Sequence, residues 1–375
     1  MTAQGSIAIS GAGIGGLAAA IALRALGHEV VVYEQAPKFA RVGADINLTP
    51  NAVRALDGLG VGAALRETAA RPTHRISRTY DTGEETSRLP MGDIAEQQYG
   101  APQLTMHRAD LMTALEAAVP ASAIRFSAKV TGLTQDDEGV TLEFADGTTA
   151  RHDAVIGADG IHSSVRTALF GKESPDFTGV VAFRAVVPVE TLAGVDNLDA
   201  FTKWWGPDKD TQIVTFPLNR GRDLFIFATI PQEGWHEESW TQPGNVAELS
   251  ELYRDFHPEA RQLLAACDEV LKSALYVRDP LASWTVGRAT LMGDASHPMM
   301  PFMAQGAGQA IEDGVVLARA IAAHDAFPAA FAAYEAARRE RTARIQISSR
   351  DNAWLKESGT GDWVYGYDAW TVPVA

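Results

Sequence analysis

The segment Gly11-Ala-Gly13-Ile-Gly15-Gly16 leaves this chain the least freedom in what it can become. It lies between Ser6–Ser10, a short β-prone run, and Leu17–Leu26, a run of helix formers that stops at Gly27. A second apolar run, Glu29–Tyr33, reads as a strand buried on both faces. Strand, glycine turn, helix and strand in that order open a parallel α/β sheet. Gly11 permits the tight turn, Gly13 lets a pyrophosphate approach the backbone, and Gly16 lets the helix pack on the strand. The helix N-terminus, with Ile14 in its first turn, then faces the phosphates. Glu34 ends the second strand, 18 residues after Gly16. A carboxylate there accepts hydrogen bonds from ribose hydroxyls and repels a 2′-phosphate. This fingerprint does not separate NAD from FAD.

Composition narrows the partners. A net charge of −15 repels phosphate backbones, so no nucleic acid is expected. The single cysteine, Cys267, excludes a disulfide framework, and beside Leu263 and Leu264 it reads as a small buried hydrophobe. The nine histidines show no ligand spacing, so no metal site is expected. No apolar run is long enough to span a bilayer, so no membrane partner is expected. A strand beginning at Ser6 leaves no room for a signal peptide, and a cytoplasmic location is expected.

The pattern predicts helices from Thr49-Pro50 and over His107–Val119, and three antiparallel strands over Ile124–Ile156 ending in Asp153–Gly157. Residues 177–277 read as a separate strand-rich region. The chain then returns to a strand, Ala289–Met292, and a glycine-rich turn into a helix from about Gly306. The expected division is a Rossmann-like dinucleotide-binding α/β domain over 1–176 and 278–326, an inserted β-sheet substrate domain over 177–277, and a C-terminal helical segment over 327–375.

Two further segments follow strands and open turns or helices. One is Gly157-Ala-Asp159-Gly160-Ile-His-Ser163, the other Gly293-Asp294-Ala-Ser-His-Pro298 leading to Pro301-Phe-Met-Ala-Gln-Gly306-Ala-Gly308. With these three motifs in order, the chain resembles the class A FAD-dependent aromatic hydroxylases. That resemblance implies FAD as cofactor, NADH or NADPH as reductant, and O2 as co-substrate. It implies that reduced flavin forms a C4a-hydroperoxide whose distal oxygen attacks an electron-rich aromatic ring or hydroxypyridine. It also implies that Asp294 contacts the flavin ribityl chain and that Arg108 contacts FAD. Asp159 belongs to a segment near the pyrophosphate, yet it could equally hold its own loop by bonding backbone amides. The helix opened by Gly306, Ala307 and Gly308 would turn its positive end to the reduced flavin. Gln35, Arg41, Ala44, Gly160 and Pro301 complete the candidate cofactor contacts. An oxidoreductase or FAD-binding module of the same fold, without oxygen insertion, is the alternative reading.

More closely, the chain looks like the 6-hydroxynicotinate 3-monooxygenase and salicylate 1-monooxygenase branch, sharing Val42-Gly43-Ala44, Thr49-Pro50-Asn51, Tyr99-Gly100-Ala101, Lys203-Trp204-Trp205 and Trp363–Asp368. That branch replaces a ring carboxylate with hydroxyl. The pocket departs from its pattern. Asn47 and Phe302 stand where histidines are expected, Phe201 where a cysteine is, and Asp210 and Val214 where a histidine and a tyrosine are. These changes remove groups that hold or deprotonate a carboxylated phenol. They predict a more apolar pocket walled by Phe201, Val214, Met300, Phe302 and Met303, suited to a phenol, a different hydroxypyridine or a larger aromatic rather than hydroxynicotinate. Asn47 and Thr215 are the polar candidates. Neighbours on one strand face opposite ways, so only one of the pairs drawn from Gln212, Ile213, Val214 and Thr215 faces the ring. His297 reads as a loop residue packed against the protein. Trp204, Trp205, Trp363 and Trp370 are expected to cover the substrate domain or a subunit contact in a homodimer.

Overall fold

The computed structural model describes residues 5–39, 45–235, 242–356 and 361–374. Two large sheets organise them. The first has six strands in the order Thr285–Val286, Ala289–Leu291, Ala154–Gly157, Ser6–Ser10, Glu29–Tyr33, Ile124–Arg125. Its pairings are parallel except for the edge hairpin at 285–291. Ile7, Ala8 and Ile9 are wholly buried at its centre, as a strand with helices on both faces must be. Helix Ile14–Ala25 crosses helix Gly306–Ala323 at a separation only glycine allows. A Cβ on Gly314 would lie 2.8 Å from the Ala19 amide nitrogen.

The region read as three antiparallel strands ending at Gly157 differs in its last member. The antiparallel meander is Val130–Gln135, Val140–Phe144 and Thr149–His152. Ala154–Gly157 leaves it and pairs parallel to Ser6–Ser10, because a strand apolar on every residue needs cover on both faces.

The second sheet has seven strands, in the order Leu271–Val277, Asp176–Pro188, Asp223–Pro231, Gln212–Leu218, Phe201–Trp205, His74–Thr79, Glu85–Pro90. It therefore reaches beyond 177–277 and takes two strands from residues 74–90. Phe201–Trp205 pairs parallel with His74–Thr79, a long-range contact that no local pattern announces. The outer face buries Val181, Phe183, Trp204, Ile213, Ile226 and Cys267 under helices Val246–Leu252 and Pro258–Ala265. The inner face carries Phe201, Val214, Phe216, Phe225 and Phe227 against Met300 and Phe302 from the first domain. Each large apolar side chain buried there stabilises the junction by about 1.5–3 kcal/mol relative to exposure. Helix Phe327–Asp351 packs on helix Gly306–Ala323 and on the edge hairpin of the first sheet, and ends at Asn352, whose φ of 47° stops it in the left-handed region.

Candidate active site

The glycine cradle has the geometry its spacing predicts. A Cβ on Gly16 would lie 2.0 Å from the Gly11 carbonyl oxygen, so no side chain fits between turn and helix. Gly11 itself takes φ of 103° and abuts Ala158. A Cβ on Gly13 would meet nothing within 4 Å, so its backbone borders open space at the start of helix Ile14–Ala25. The Glu34 carboxylate accepts from Ala12 N at 2.9 Å and Ala36 N at 2.8 Å. These bonds fix it beside the glycine turn and leave lone pairs for further donors. Gln35 beside it is exposed. Arg41 and Ala44 lie outside the described residues.

Asp159 spends its oxygens on its own loop. It accepts from Ser163 Oγ at 2.5 Å, Ser164 N at 2.8 Å and Val165 N at 3.2 Å, and so caps helix Ser164–Phe170. Gly160, at φ of 77°, makes the turn.

Asp294 behaves differently. It follows Gly293, whose φ of 58° turns the chain out of strand Ala289–Leu291. Its side chain is exposed to solvent, yet desolvation raises its pKa, while the nearby His297 and Arg108 charges oppose that rise. A carboxylate both accessible and poorly hydrated sits on the floor of a crevice. Gly306 borders the same crevice, since a Cβ placed there would come 4.0 Å from Asp294 Oδ1. Pro301 is exposed, and Ala307 is half-buried in the first turn of its helix. Gly308 faces away from the crevice, where its missing side chain admits Ala52.

Under this loop lies a buried charge network that sequence reasoning missed. Asp313 accepts from Gly293 N at 2.9 Å, His297 Nε2 at 2.6 Å and Arg338 Nε at 2.8 Å. Glu312 accepts from Asn51 Nδ2 at 2.6 Å, Arg338 Nη1 at 2.6 Å and Arg341 Nε at 3.1 Å. Gln305 joins it to Thr49 at 2.8 Å. His297 is thus packed against the protein, as expected for a loop residue, and is held by a carboxylate.

The inner face of the second sheet packs against the loop that follows Asp294, through Met300 and Phe302. Phe201, Val214, Met300 and Phe302 lie in one apolar cluster on that face, whereas Met303 packs with Tyr99, Ile345 and Tyr365. Thr215 is a correction. It shares the face of Ile213 and Trp204, so strand alternation turns it away from the crevice. Asn47 is buried and its Oδ1 accepts from Gln103 Nε2 at 2.8 Å, leaving Asn47 Nδ2 and Gln103 Oε1 unpartnered.

The expectation of an apolar pocket is also corrected. Lys203 lies level with Val214 on the same face, and Arg75 level with Phe201. Both are almost wholly buried, as is Gln212. The signal was present in Lys203-Trp204-Trp205, since alternation with Phe201 fixes which way Lys203 points. Arg75 carried no such signal, because its strand joins this sheet only through tertiary pairing.

A glycine cradle, an acid at the end of the second strand, an accessible aspartate at the switch between strand and helix, and an aromatic sheet face against the loop that follows define a dinucleotide-dependent oxidoreductase. The FAD binding domain family model matches residues 4–348. The chain belongs to that family, and within it to the FAD-dependent aromatic hydroxylases, which are flavin monooxygenases. It is 40% identical over 377 residues to 6-hydroxynicotinate 3-monooxygenase of Bordetella bronchiseptica, covering 100% of this chain and 98% of the relative. It is 36% identical over 350 residues to 3-hydroxybenzoate 6-hydroxylase of Polaromonas naphthalenivorans, covering 92% and 86%. A salicylate hydroxylase substrate complex superposes with a TM-score of 0.85 at 28% identity, over 98% of this chain and 96% of that one. HpxO of Klebsiella pneumoniae, complexed with FAD and uric acid, gives 0.82 at 28% identity, over 96% and 90%. No helix of the described residues is long and apolar enough to cross a membrane.

Proposed function

We propose that this chain hydroxylates a small electron-rich aromatic, a phenol or hydroxypyridine, in the chamber between the Asp294 crevice and the inner face of the second sheet. The single observation that carries this reading is the meeting of two surfaces. The accessible Asp294 and Gly306 edge lies next to a buried roof containing Phe201, Val214 and Phe302. The helix amides behind Gly13 would receive the FAD pyrophosphate, Glu34 the ribose hydroxyls, and Asp294 the ribityl chain. Arg108 would add a positive charge near Asp294. The start of helix Gly306–Ala323 would turn its positive end to the flavin edge that becomes negative on reduction. Bound FAD, reduced by NADH or NADPH and exposed to O2, supplies an electrophilic oxygen.

The protein's own residues bind, orient and exclude water. Phe201 and Phe302 would sandwich or abut the ring, and Val214 and Met300 would close its sides. The amide pair Asn47–Gln103 offers an unpartnered N–H and an unpartnered carbonyl, a matched set for a ring hydroxyl or pyridone. Asp159 acts through its loop and touches no substrate in this reading. The names of the relatives point to hydroxynicotinate and hydroxybenzoate as compounds to try first. A homodimer in the cytoplasm stays part of the reading, and sedimentation checks the assembly.

The test measures NADH and NADPH oxidation by the FAD-loaded enzyme against phenols, phenolic acids and hydroxypyridines, with H2O2 and products quantified. Hydroxylated product from at least one compound, with little H2O2, is expected; decarboxylation shows as CO2 release. Reduction that no compound raises above background would sink the proposal.

A further inference from the structure

The inner face of the second sheet carries an imbalance of hydrogen-bonding groups. Lys203 and Arg75 are 2% and 4% exposed, and neither forms an ion pair with any described residue. Lys203 Nζ donates to Asn352 Oδ1 at 2.6 Å and lies 3.6 Å from the Trp205 ring centroid and 5.8 Å from that of Phe302. The Arg75 guanidinium lies between rings, 4.6 Å from the Phe201 centroid and 5.0 Å from that of Trp354, and its Nη1 has no hydrogen-bond partner. Gln212 donates nothing from Nε2, and its Oε1 is taken by Asn352 Nδ2 at 3.3 Å. The indole nitrogens of Trp205 and Trp354 are also unpartnered. Apart from the Tyr365 hydroxyl beside Arg75, the unsatisfied groups here are donors, gathered around two cations.

Such an arrangement is costly unless something negative answers it. A buried cation without a counter-charge loses its hydration, and ring faces and one amide oxygen recover only part of that. Burial, then the neighbouring Arg75 and Lys356 charges, push Lys203 well below its ordinary pKa. An arriving carboxylate would reverse each of these penalties, and a planar guanidinium with free N–H groups matches its geometry. The position is right for substrate, because Lys203 is level with Val214 and Arg75 with Phe201, both walls of the proposed chamber.

We propose that Lys203, Arg75 and Gln212 form a receptor for a carboxylate on the aromatic substrate. This rests on the hydroxylase reading above and narrows its substrate to aromatic acids. It also places the acid at different residues from the histidines and tyrosine whose absence argued against one.

The experiment titrates the FAD-loaded enzyme with matched acid and amide pairs, benzoate against benzamide and salicylate against salicylamide, following perturbation of the flavin absorbance. The wild type is expected to bind each acid about tenfold or more tightly than its amide, the scale of one charge-assisted hydrogen bond. Lys203→Met and Arg75→Gln should each move that ratio towards one while Lys203→Arg retains it. Flavin content reports folding, and if Lys203→Met does not fold, Arg75→Gln carries the comparison. Equal wild-type affinity for acid and amide overturns the receptor, as does an undiminished acid preference in Arg75→Gln. Product analysis separates the two claims. Equally efficient hydroxylation of phenol and phenolic acid overturns the receptor and leaves the hydroxylase standing. Acid-selective binding with no hydroxylated product supports the receptor and overturns the hydroxylase.

Discussion

Replacing Arg338 by methionine asks how far the loop bearing Asp294 depends on the C-terminal helix. Arg338 is fully buried and donates to Asp313 at 2.8 Å, Glu312 at 2.6 Å and Gln309 Oε1 at 2.8 Å. Asp313 in turn holds Gly293 N at 2.9 Å, one residue before Asp294. Burial alone would raise both carboxyl pKa values. For Asp313 the charges of His297 and Arg338 outweigh it and bring the pKa to about 2; for Glu312 those of Arg341 and Arg338 bring it below its ordinary value. A carboxyl lowered in the folded state contributes stability that is present above its unfolded pKa, near 4, and lost as pH falls through the folded value. Arg338→Met keeps much of the volume but leaves two buried carboxylates sharing His297, Arg341 and Asn51. Removing one partner from a buried ion pair costs about 3–5 kcal/mol. That is a large share of a typical stability of about 5–15 kcal/mol. Urea unfolding at pH 7 should show this loss, and the FAD-loaded variant should release flavin faster. Burial is then less opposed, so the variant takes up protons at higher pH and its deficit should narrow as pH approaches 4. A variant within about 1 kcal/mol of wild type at pH 7, with unchanged flavin release, would refute the coupling of helix to loop.

Three further outcomes are expected. Gly13→Ala should leave apo-protein stability unchanged but weaken FAD binding, because the new Cβ meets no protein atom and occupies the space beside the cradle; Gly16→Ala should lose about 1–3 kcal/mol or more in urea unfolding, because its Cβ meets the Gly11 carbonyl. Equal effects of the two on stability would show that the cradle faces elsewhere. Asp294→Ala should lower the flavin retained per polypeptide after gel filtration or slow reduction by NAD(P)H, and wild-type values for both would mean the ribityl assignment is misplaced. Cys267, buried and with its pKa pushed to about 12 by desolvation and then Asp268, should resist iodoacetamide at pH 8 until urea unfolds the chain, and prompt labelling of the folded protein would contradict its burial.

The cofactor half of the site was legible because its constraints are local. Gly11, Gly13 and Gly16 answer to one turn, and the Glu34 and Asp294 positions follow from where strands stop. The same locality explains the reading of Cys267, whose helical neighbours announce its burial. Two kinds of information were not local. The 74–90 strands join the second sheet through a parallel pairing with Phe201–Trp205, so nothing near Arg75 indicated that it would be buried among Phe201 and Trp354. Likewise the two carboxylates that hold Arg338 lie 25 and 26 residues from it, and the helix carrying it reads from the sequence only as an Ala- and Arg-rich helical segment.

The substrate face shows a different kind of limit. Replacing the expected histidines and tyrosine position by position with Asn47, Phe302 and Val214 predicts a loss of polarity. A pocket's polarity, however, is a property of everything on its face. On a strand that face is read in steps of two, from Phe201 to Lys203 to Trp205, and across the register to Val214 and Gln212. Counted that way, the face loses acceptors and titratable rings but keeps the buried cations Lys203 and Arg75, with Arg184 further along the same register, and a free amide donor. A chamber built so is poor at removing a proton from a phenol and good at holding an anion. Activation of the ring would then fall to the Asn47–Gln103 pair, or to a substrate that is already electron-rich when it binds, and not to a histidine base. The pH profile of turnover distinguishes these cases. With no histidine among the described residues of this face, the pH profile of kcat should not change when His297 is replaced by glutamine. An inflection that disappears in that variant would return the base to His297 and undo the account of an anion-holding, base-free face.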